Sequence, residues 1–193
     1  MPVFIAKNAS AEVNGETVNS IVDGMGSYKA KAVEILSKNG ITDPKPGLWY
    51  SQQSWLNAFK EISTVLGPNT LYSIGLKIPE NAKFPPQIDS IEKALSAIDL
   101  AFHMNHRIDG KVLFDPQTGT IHEGIGHYTY AKLSEKEAKM TCPNSYPCDF
   151  DRGIIEGMAK KFKPAGSFVQ VQHNDAAPCR KKGGESCEYK IKW

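Results

Sequence analysis

All four cysteines of this chain lie in its last third, and their placement constrains the fold more than any other sequence feature. They are Cys142, Cys148, Cys179 and Cys187. In a reducing compartment, clustered cysteines hold a metal ion more often than they form disulfides. Zinc takes four tetrahedral thiolate or imidazole ligands, so a shared ion requires these segments to converge. Because the spacing is not the paired C-x-x-C pattern, disulfides and free buried thiols remain open.

Two features near these cysteines bear on the choice of ligands. Cys148 opens the stretch CDFDRGIIEGMAKKF, which has helical periodicity. The positive end of a helix dipole stabilises a thiolate at that position. His173 ends an alternating stretch before Cys179 and supplies a nitrogen ligand if one cysteine stays out. The fourth ligand is therefore open between His173 and Cys142.

Apolar residues recur at three- and four-residue steps through the first half of the chain, a period that predicts helices. Asn39-Gly40 and Gly67-Pro68 are helix stop signals that end two of these runs. The predicted helices span residues 18–36, 54–66, 71–76 and 90–106, followed by the late helix that starts at Cys148 or Asp149.

The second half of the chain adds strand signals. KVLF and IHEGIGHYTY, with DPQTGT between them, predict an antiparallel hairpin, and SFVQVQH and CEYKIKW predict two further strands. On the hairpin, His122 and His127 are predicted to face opposite sides and not to chelate one ion. The predicted fold class is α+β, in a single domain over 1–193, with N-terminal helices packed on a C-terminal antiparallel sheet and an inserted late helix.

The helix predicted over 90–106 has two apolar faces. Its main stripe contains Ile91, Leu95, Ile98 and Phe102. His103 lies roughly 130° from that stripe, near Leu100. A helix that is apolar on two sides lies between layers or lines a pocket, so this helix is predicted to carry an imidazole beside a pocket.

Composition excludes several classes of function. A formal charge of +2 spread along the chain gives no basic stripe for nucleic acid. The N-terminus lacks the features of a secretory signal, and no run approaches about 18 uninterrupted apolar residues. We therefore expect a cytoplasmic protein with no nucleic-acid partner and no membrane span.

The last half of the chain resembles a known family. The motifs HYTYAKL, CDFDRGIIEGMAKKF, VQVQH and CRKKGGESCEYKIKW are similar to the C-terminal half of the H-NOX (haem nitric-oxide/oxygen-binding) family. They equally resemble four-vinyl-reductase ligand-binding domains, whose fold is related to subunits of the TRAPP trafficking complex. The resemblance implies a structural zinc on Cys148, His173, Cys179 and Cys187, with Cys142 as an alternative ligand.

The resemblance extends weakly to the first half of the chain. ALSAIDLAFHMNH resembles the H-NOX helix that carries the proximal haem ligand, and His103 takes that place. The family's Tyr-x-Ser-x-Arg clamp for the haem propionates is nearest matched by Tyr128, Tyr130 and Lys132, with Ser replaced by Tyr and Arg by Lys. Lysine lacks the fork that binds a carboxylate in bidentate fashion. Extra residues, SEKEAKMTCPNS, follow this motif where the family is tighter.

We therefore expect a non-catalytic sensory or carrier domain that binds a small apolar or gaseous ligand between its helices and sheet. Pocket candidates are Trp55, Leu100 and His106. A haem-based gas sensor ligated by His103 is one alternative, and a scaffold of the TRAPP-subunit type is another. Catalysis is disfavoured, because the carboxylates that follow Cys148 raise the pKa of its thiol, and a vinyl-reductase role has no nucleotide fingerprint such as GxGxxG to support it. A protein partner is expected to receive the signal, and a homodimer is compatible with the sequence.

Overall fold

The computed structural model describes residues 3–193, in which helices and short antiparallel strands alternate. The helices are α1 (Gly15–Gly24), α2 (Lys29–Lys38), α3 (Gln52–Leu66), α4 (Pro68–Asn81), α5 (Ile91–Met104) and α6 (Cys148–Phe162). The strands are β1 (Ala11–Asn14), β2 (Trp49–Ser51), β3 (His106–Ile108), β4 (Lys111–Val112), β5 (Phe114–Asp115), β6 (Thr120–Ile121), β7 (Thr129–Ser134), β8 (Glu137–Cys142), β9 (Gln170–His173) and β10 (Cys187–Lys192).

The C-terminal sheet carries most of the strand structure. Its order is β7-β8-β10-β9, and every neighbouring pair is antiparallel. One face of the sheet is buried, since Ala138, Met140, Tyr189 and Ile191 alternate with exposed residues. α6 is inserted between β8 and β9, as the sequence predicts. The predicted α+β fold is confirmed.

A second, smaller sheet lies at the other end of the chain, and the sequence analysis missed its first strands. Its order is β2-β1-β3-β4, which pairs segments from before α1, before α3 and after α5. These strands have two to four residues, too few to show a period of two. Because β3 starts two residues after α5 ends, this sheet fixes the C-terminal end of α5.

The single helix predicted over residues 18–36 is wrong. The chain forms α1 and α2 as separate helices, joined by a short 3-10 turn over Gly26–Tyr28. Gly26 has a φ of 52°, in the left-handed region that glycine adopts without strain. The apolar period continues through the turn because both helices pack on the same core.

Two other boundaries also differ from prediction. α4 extends over Pro68–Asn81, well beyond the short helix predicted at 71–76. The segment SEKEAKMTCPNS, interpreted as extra residues after the clamp motif, begins at the last residue of β7, forms the turn to β8 and supplies all of β8. It is therefore an integral hairpin of the C-terminal sheet.

α4 and α6 approach each other at backbone contact distance. A Cβ added to Gly153 would lie 2.3 Å from the carbonyl oxygen of Tyr72, and one added to Gly75 would lie 2.3 Å from that of Phe150. Only glycine at both positions permits this approach. The crossing places α5, which packs against α6, beside the two helices. No helix within residues 3–193 is long and apolar enough to cross a membrane.

Candidate functional site

The structure brings Cys148, His173, Cys179 and Cys187 together at one end of the C-terminal sheet. One ligand atom from each lies within 4.8 Å of the others. Each position follows from an element boundary: α6 begins at Cys148, β9 ends at His173, and β10 begins at Cys187. The three Sγ–Sγ distances are 3.0–3.5 Å. Tetrahedral zinc places thiolate sulfurs about 3.7 Å apart, so a small outward shift accommodates the ion.

The histidine of this cluster has the surroundings of a metal ligand. Nδ1 of His173 lies 2.8 Å from a carboxylate oxygen of Asp175, which fixes the proton on that nitrogen. The other nitrogen, Nε2, is buried and has no hydrogen-bond partner. A metal-bound imidazole usually donates the N–H of its other ring nitrogen to a carboxylate, as Nδ1 of His173 does to Asp175.

The fourth cysteine lies outside this cluster. Cys142 is the last residue of β8, where it is paired with Cys187 in the strand register. Its side chain is buried in the apolar core, and burial raises the pKa of its thiol well above the usual value. The four cysteines are all free thiols, so the disulfide alternative is not realised in this structure. The structure therefore brings His173, and not Cys142, together with the other three cysteines.

A buried arginine lies directly behind the sulfurs. Nε of Arg180 is 3.3 Å from Sγ of Cys187, and its guanidinium forms an ion pair with Asp151 in which both side chains are fully buried. The hydrogen bond from Cys148 and the positive charge of Arg180 hold the pKa of the Cys187 thiol well below its usual range. This environment favours the thiolate form of Cys187, which is the form that binds a metal ion.

An apolar cavity of about 90 Å³ lies between α4, α5 and α6. Its walls are mostly aliphatic and aromatic, and the polar side chains among them are few. The lining residues include Thr17, Ile78, Phe84, Ile98, Ala101, Phe102, Asn105, His106, Tyr128, Tyr146, Phe150, Ile154 and Met158. The composition is that of a small-molecule site, in which a few polar groups orient an apolar ligand.

A hydrogen-bonded pair provides the polar end of the cavity. Nδ1 of His106 is 2.7 Å from the carbonyl oxygen of Phe102, which accepts its proton. Nε2 is therefore an acceptor, and the Tyr146 hydroxyl donates to it at 2.6 Å. Burial lowers the pKa of His106 to about 4, so the ring is neutral at physiological pH. Gln52 donates in turn to the Tyr146 oxygen at 3.4 Å.

Of the three predicted pocket residues, only His106 lines this cavity. Trp55 is fully buried in the core on α3, where its ring packs 4.7 Å from that of Phe59. Leu100 lies on a shallow surface groove on another side of α5. Tyr146 was not predicted as a site residue, because its only sequence signal is that it precedes the late helix by two residues.

The predicted propionate clamp does not converge. The Tyr128 hydroxyl donates to Asp151 at 2.6 Å, Tyr130 lies on the surface groove beside α5, and the Lys132 ammonium forms ion pairs with Glu92 and Glu135. Among the described residues that line the cavity, none is a lysine or an arginine. Two haem propionates would find no cation there.

The geometry of His103 also bears on haem. His103 is fully buried on α5 but does not line the cavity, and both ring nitrogens of the histidine that does, His106, are hydrogen-bonded. Benzene occupies a cavity of about 150 Å³, and haem is several times larger than benzene. A cavity of about 90 Å³ therefore does not fit haem in this conformation.

A second cluster forms on a different side of α5 from the residues that line the cavity. Asp99, His103 and His127 each place one ligand atom within 4.8 Å of the others. Contrary to the sequence analysis, His127 does not lie on a strand with His122, because residues 122–128 connect β6 and β7 without regular structure. The four-residue spacing of Asp99 and His103, one helical turn, was the sequence signal that could have identified this pair.

By sequence, no protein-family model and no curated protein matches this chain. Solved structures do match. An H-NOX protein from S. oneidensis in the Fe(II)NO ligation state has a TM-score of 0.65 at 14% identity, covering 93% of this chain and 98% of that one. A variant H-NOX of T. tengcongensis has a TM-score of 0.63 at 16% identity, with 93% and 96% covered.

An oxygen-binding H-NOX domain related to soluble guanylate cyclases, in its oxygen complex, has a TM-score of 0.61 at 17% identity and covers 92% of this chain and 91% of that one. The similarity extends over nearly the whole of both chains, so it includes the N-terminal helices as well as the C-terminal sheet. The resemblance to four-vinyl-reductase domains stays a prediction. The chain has the fold of the H-NOX domains.

Proposed function

We propose that this protein is a non-catalytic ligand-binding domain of a sensory system, which binds a small apolar molecule in the cavity between α4, α5 and α6. The observation that carries the proposal is an apolar cavity with one buried polar pair, His106 and Tyr146, at its end. The neutral imidazole accepts and the phenol donates, so a ligand with one polar atom can exchange a hydrogen bond with the pair. Burial lowers the pKa of His106 to about 4, well below the near-neutral value that suits a general base, so the pair is better suited to recognition than to acid–base catalysis.

The cavity of about 90 Å³ is smaller than the cavity of about 150 Å³ that binds benzene, so the ligand is a short chain or a single small ring whose entry widens the cavity slightly. We expect benzene and phenol, as probes, to raise the melting temperature of the protein, because binding to the folded state stabilises it. Ala101→Leu fills the cavity and should abolish the shift. Ala97→Leu, on the surface groove of the same helix, is the matched control and should retain it. Equal shifts in both variants would contradict the proposal.

Haem-based gas sensing is the second candidate. It is favoured by the fold neighbours, which include Fe(II)NO, Fe(II)CO and oxygen-bound H-NOX forms, and by the buried, unpartnered Nε2 of His103. It requires α5 to move so that the cavity widens. Haem reconstitution tests it: a Soret band that His103→Ala abolishes supports this candidate, and benzene binding without a Soret band supports the first.

We further propose that Cys148, His173, Cys179 and Cys187 bind a structural zinc ion. Four protein ligands leave no open position for substrate, so the ion would hold α6, β9 and β10 together. Elemental analysis should give one zinc per chain in the wild type and in Cys142→Ala, whose cysteine lies outside the cluster. Cys187→Ser should lose the zinc. Zinc retained by Cys187→Ser but lost from Cys142→Ala would assign the ion to other ligands.

A further inference from the structure

An open surface groove of about 410 Å³ lies at the end of the C-terminal sheet where β10 finishes. Its walls are the loop between α6 and β9, the turn between β7 and β8, and the end of β10. The lining residues are Lys136, Gly166, Ser167, Phe168, Gln170, Lys192 and Trp193. None of them lines the cavity or belongs to the cysteine cluster, so the groove is a separate surface feature, whatever the cavity binds.

One wall of the groove presents an exposed aromatic ring. Phe168 is 91% exposed, the highest value for a large apolar side chain among residues 3–193. Its loop is held by an amide hydrogen bond from Ser167 to the carbonyl oxygen of Pro164 at 3.1 Å, and by the Lys163 ammonium, which donates to the carbonyl oxygen of Ser167. Gly166 provides the left-handed turn, at a φ of 77°. A partner that covers the ring therefore has little loop to order on binding.

The opposite wall is also tied in place. The amide of Trp193 donates to the carbonyl oxygen of Lys136 at 3.2 Å, which joins the end of β10 to the turn between β7 and β8. Trp193 packs against the core but is only partly buried, and it lines the groove. Two aromatic side chains, Phe168 and Trp193, thus flank the groove, and an apolar side chain placed between them would be removed from water on both sides.

The charge of the groove indicates what kind of segment it fits. Lys136 and Lys192 line it with exposed side chains, and neither forms an ion pair with any residue in 3–193. The two glutamates that flank Lys136 in the sequence each pair with another lysine. Among the described residues that line the groove, none is acidic. Two free cations beside two aromatic rings complement a segment that carries carboxylates and an apolar side chain.

We propose that this groove docks an acidic segment of a partner protein. An apolar side chain of that segment lies between Phe168 and Trp193, and its carboxylates face Lys136 and Lys192. A second copy of this chain fits less well, because a two-fold contact brings the same lysines of both copies together. An anionic membrane also fits less well, since a lipid-binding patch has about 4–8 clustered basic residues and the groove has two.

The probe is a synthetic peptide with one leucine flanked by glutamates, titrated into ¹⁵N-labelled protein and followed by nuclear magnetic resonance, which detects weak binding. We expect saturable shifts of amides in the groove, and weaker binding as salt screens the charges. Phe168→Ala, and Lys136→Glu combined with Lys192→Glu, should each weaken binding at least about tenfold. A peptide with lysine in place of glutamate should not bind.

Two exposed positions outside the groove provide matched controls. Val65→Ala on α3 and Lys111→Glu on β4 should leave the affinity for the peptide unchanged. All the substituted side chains are exposed, so we expect each variant to fold, and circular dichroism verifies it.

Three outcomes of the titration would overturn the inference. They are no shifts in the groove, equal binding of the lysine peptide, and an affinity that the groove variants leave unchanged. Sedimentation that shows a dimer broken by Phe168→Ala would assign the groove to a second copy of the chain. Flotation with vesicles of phosphatidylserine and phosphatidylcholine that the double lysine variant abolishes would assign it to a membrane.

Discussion

At the scale of single residues, the groups that could carry function here are buried polar side chains, and their hydrogen-bond partners decide which protonation state each one takes. His106 is the simplest case. Its proton lies on the nitrogen that faces Phe102, and its lone pair receives the Tyr146 hydroxyl. The ring is thereby held neutral, so the contribution of His106 to stability is lost only as the pH falls.

We predict that His106 lowers stability in acid. Its pKa is about 4 when folded, because it is buried, against about 6.5 in an unfolded chain. Between these pH values the unfolded state binds more protons than the folded state. The free energy of unfolding therefore has the full contribution of His106 above pH 6.5 and decreases as the pH falls towards 4. The loss is about 3 kcal/mol at most. Urea unfolding at several pH values measures it.

His106→Gln should show a shallower decline over that range than the wild type. The comparison is between slopes, so any loss of stability common to all pH values cancels. His122→Gln, at an exposed position, should keep the wild-type slope. Parallel slopes for His106→Gln and the wild type would show that His106 is not the titrating group.

At the scale of elements, the sequence predicts helices and strands whose apolar residues repeat with a regular period. It does not predict elements that form only through contacts between distant segments. α3, α5, α6 and the last two strands were predicted, because their apolar residues repeat and caps or glycines end them. The break between α1 and α2 was missed, since the apolar period runs through it. β1 and β2 are too short for a period and are strands only because they pair.

The same distinction separates the functional residues that were predicted from those that were not. The cysteine cluster was predicted because Cys and His are rare and chemically distinctive, and because the spacing of Cys179 and Cys187 resembles that of a family. The roles of Tyr146 and His127 were not predictable from the sequence, since they depend on which loop meets α5.

We predict that the glycine contact between α4 and α6 is essential to packing. If α6 packed loosely at this position, Gly153→Ala would stabilise the folded protein by up to about 1 kcal/mol, because alanine has the higher helix propensity. Here the added methyl meets the Tyr72 carbonyl at 2.3 Å, so we expect the change to destabilise by about 1–3 kcal/mol instead. Lys160→Ala, at an exposed position of α6, is the control and should change stability little. Chemical denaturation gives the sign, and a stabilised Gly153→Ala protein would contradict the prediction.

At the scale of the whole molecule, one buried arginine connects the two main sites. The Arg180 guanidinium contacts Cys187 of the cysteine cluster, and through Asp151 it reaches Tyr128 in the cavity wall. It also donates to the side-chain oxygen of Asn144, which accepts from the amide of Tyr146. A continuous set of hydrogen bonds, with one buried ion pair, therefore connects the cavity wall to the cysteine cluster.

We predict that Arg180→Met destabilises the protein by about 3–5 kcal/mol, because it leaves the Asp151 carboxylate buried without its cation. Adding Asp151→Asn should recover part of that loss. Lys181→Ala removes a neighbouring, partly exposed ion pair with Asp149 and should cost less than about 1 kcal/mol. Denaturant unfolding of the four proteins tests this, and an Arg180→Met protein as stable as Lys181→Ala would contradict it.

The glycine crossing of α4 and α6 has a consequence for how a signal leaves the cavity. Because α4 and α6 contact each other backbone to backbone, their relative position is fixed, and α5 is the cavity helix with more freedom to shift. On the proposed function, a ligand larger than the cavity would push α5 outward. α5 is followed directly by β3, which pairs with β1 in the smaller sheet. On the proposed function, occupancy of the interior would tilt α5 relative to α4 and α6 and displace β3 with it.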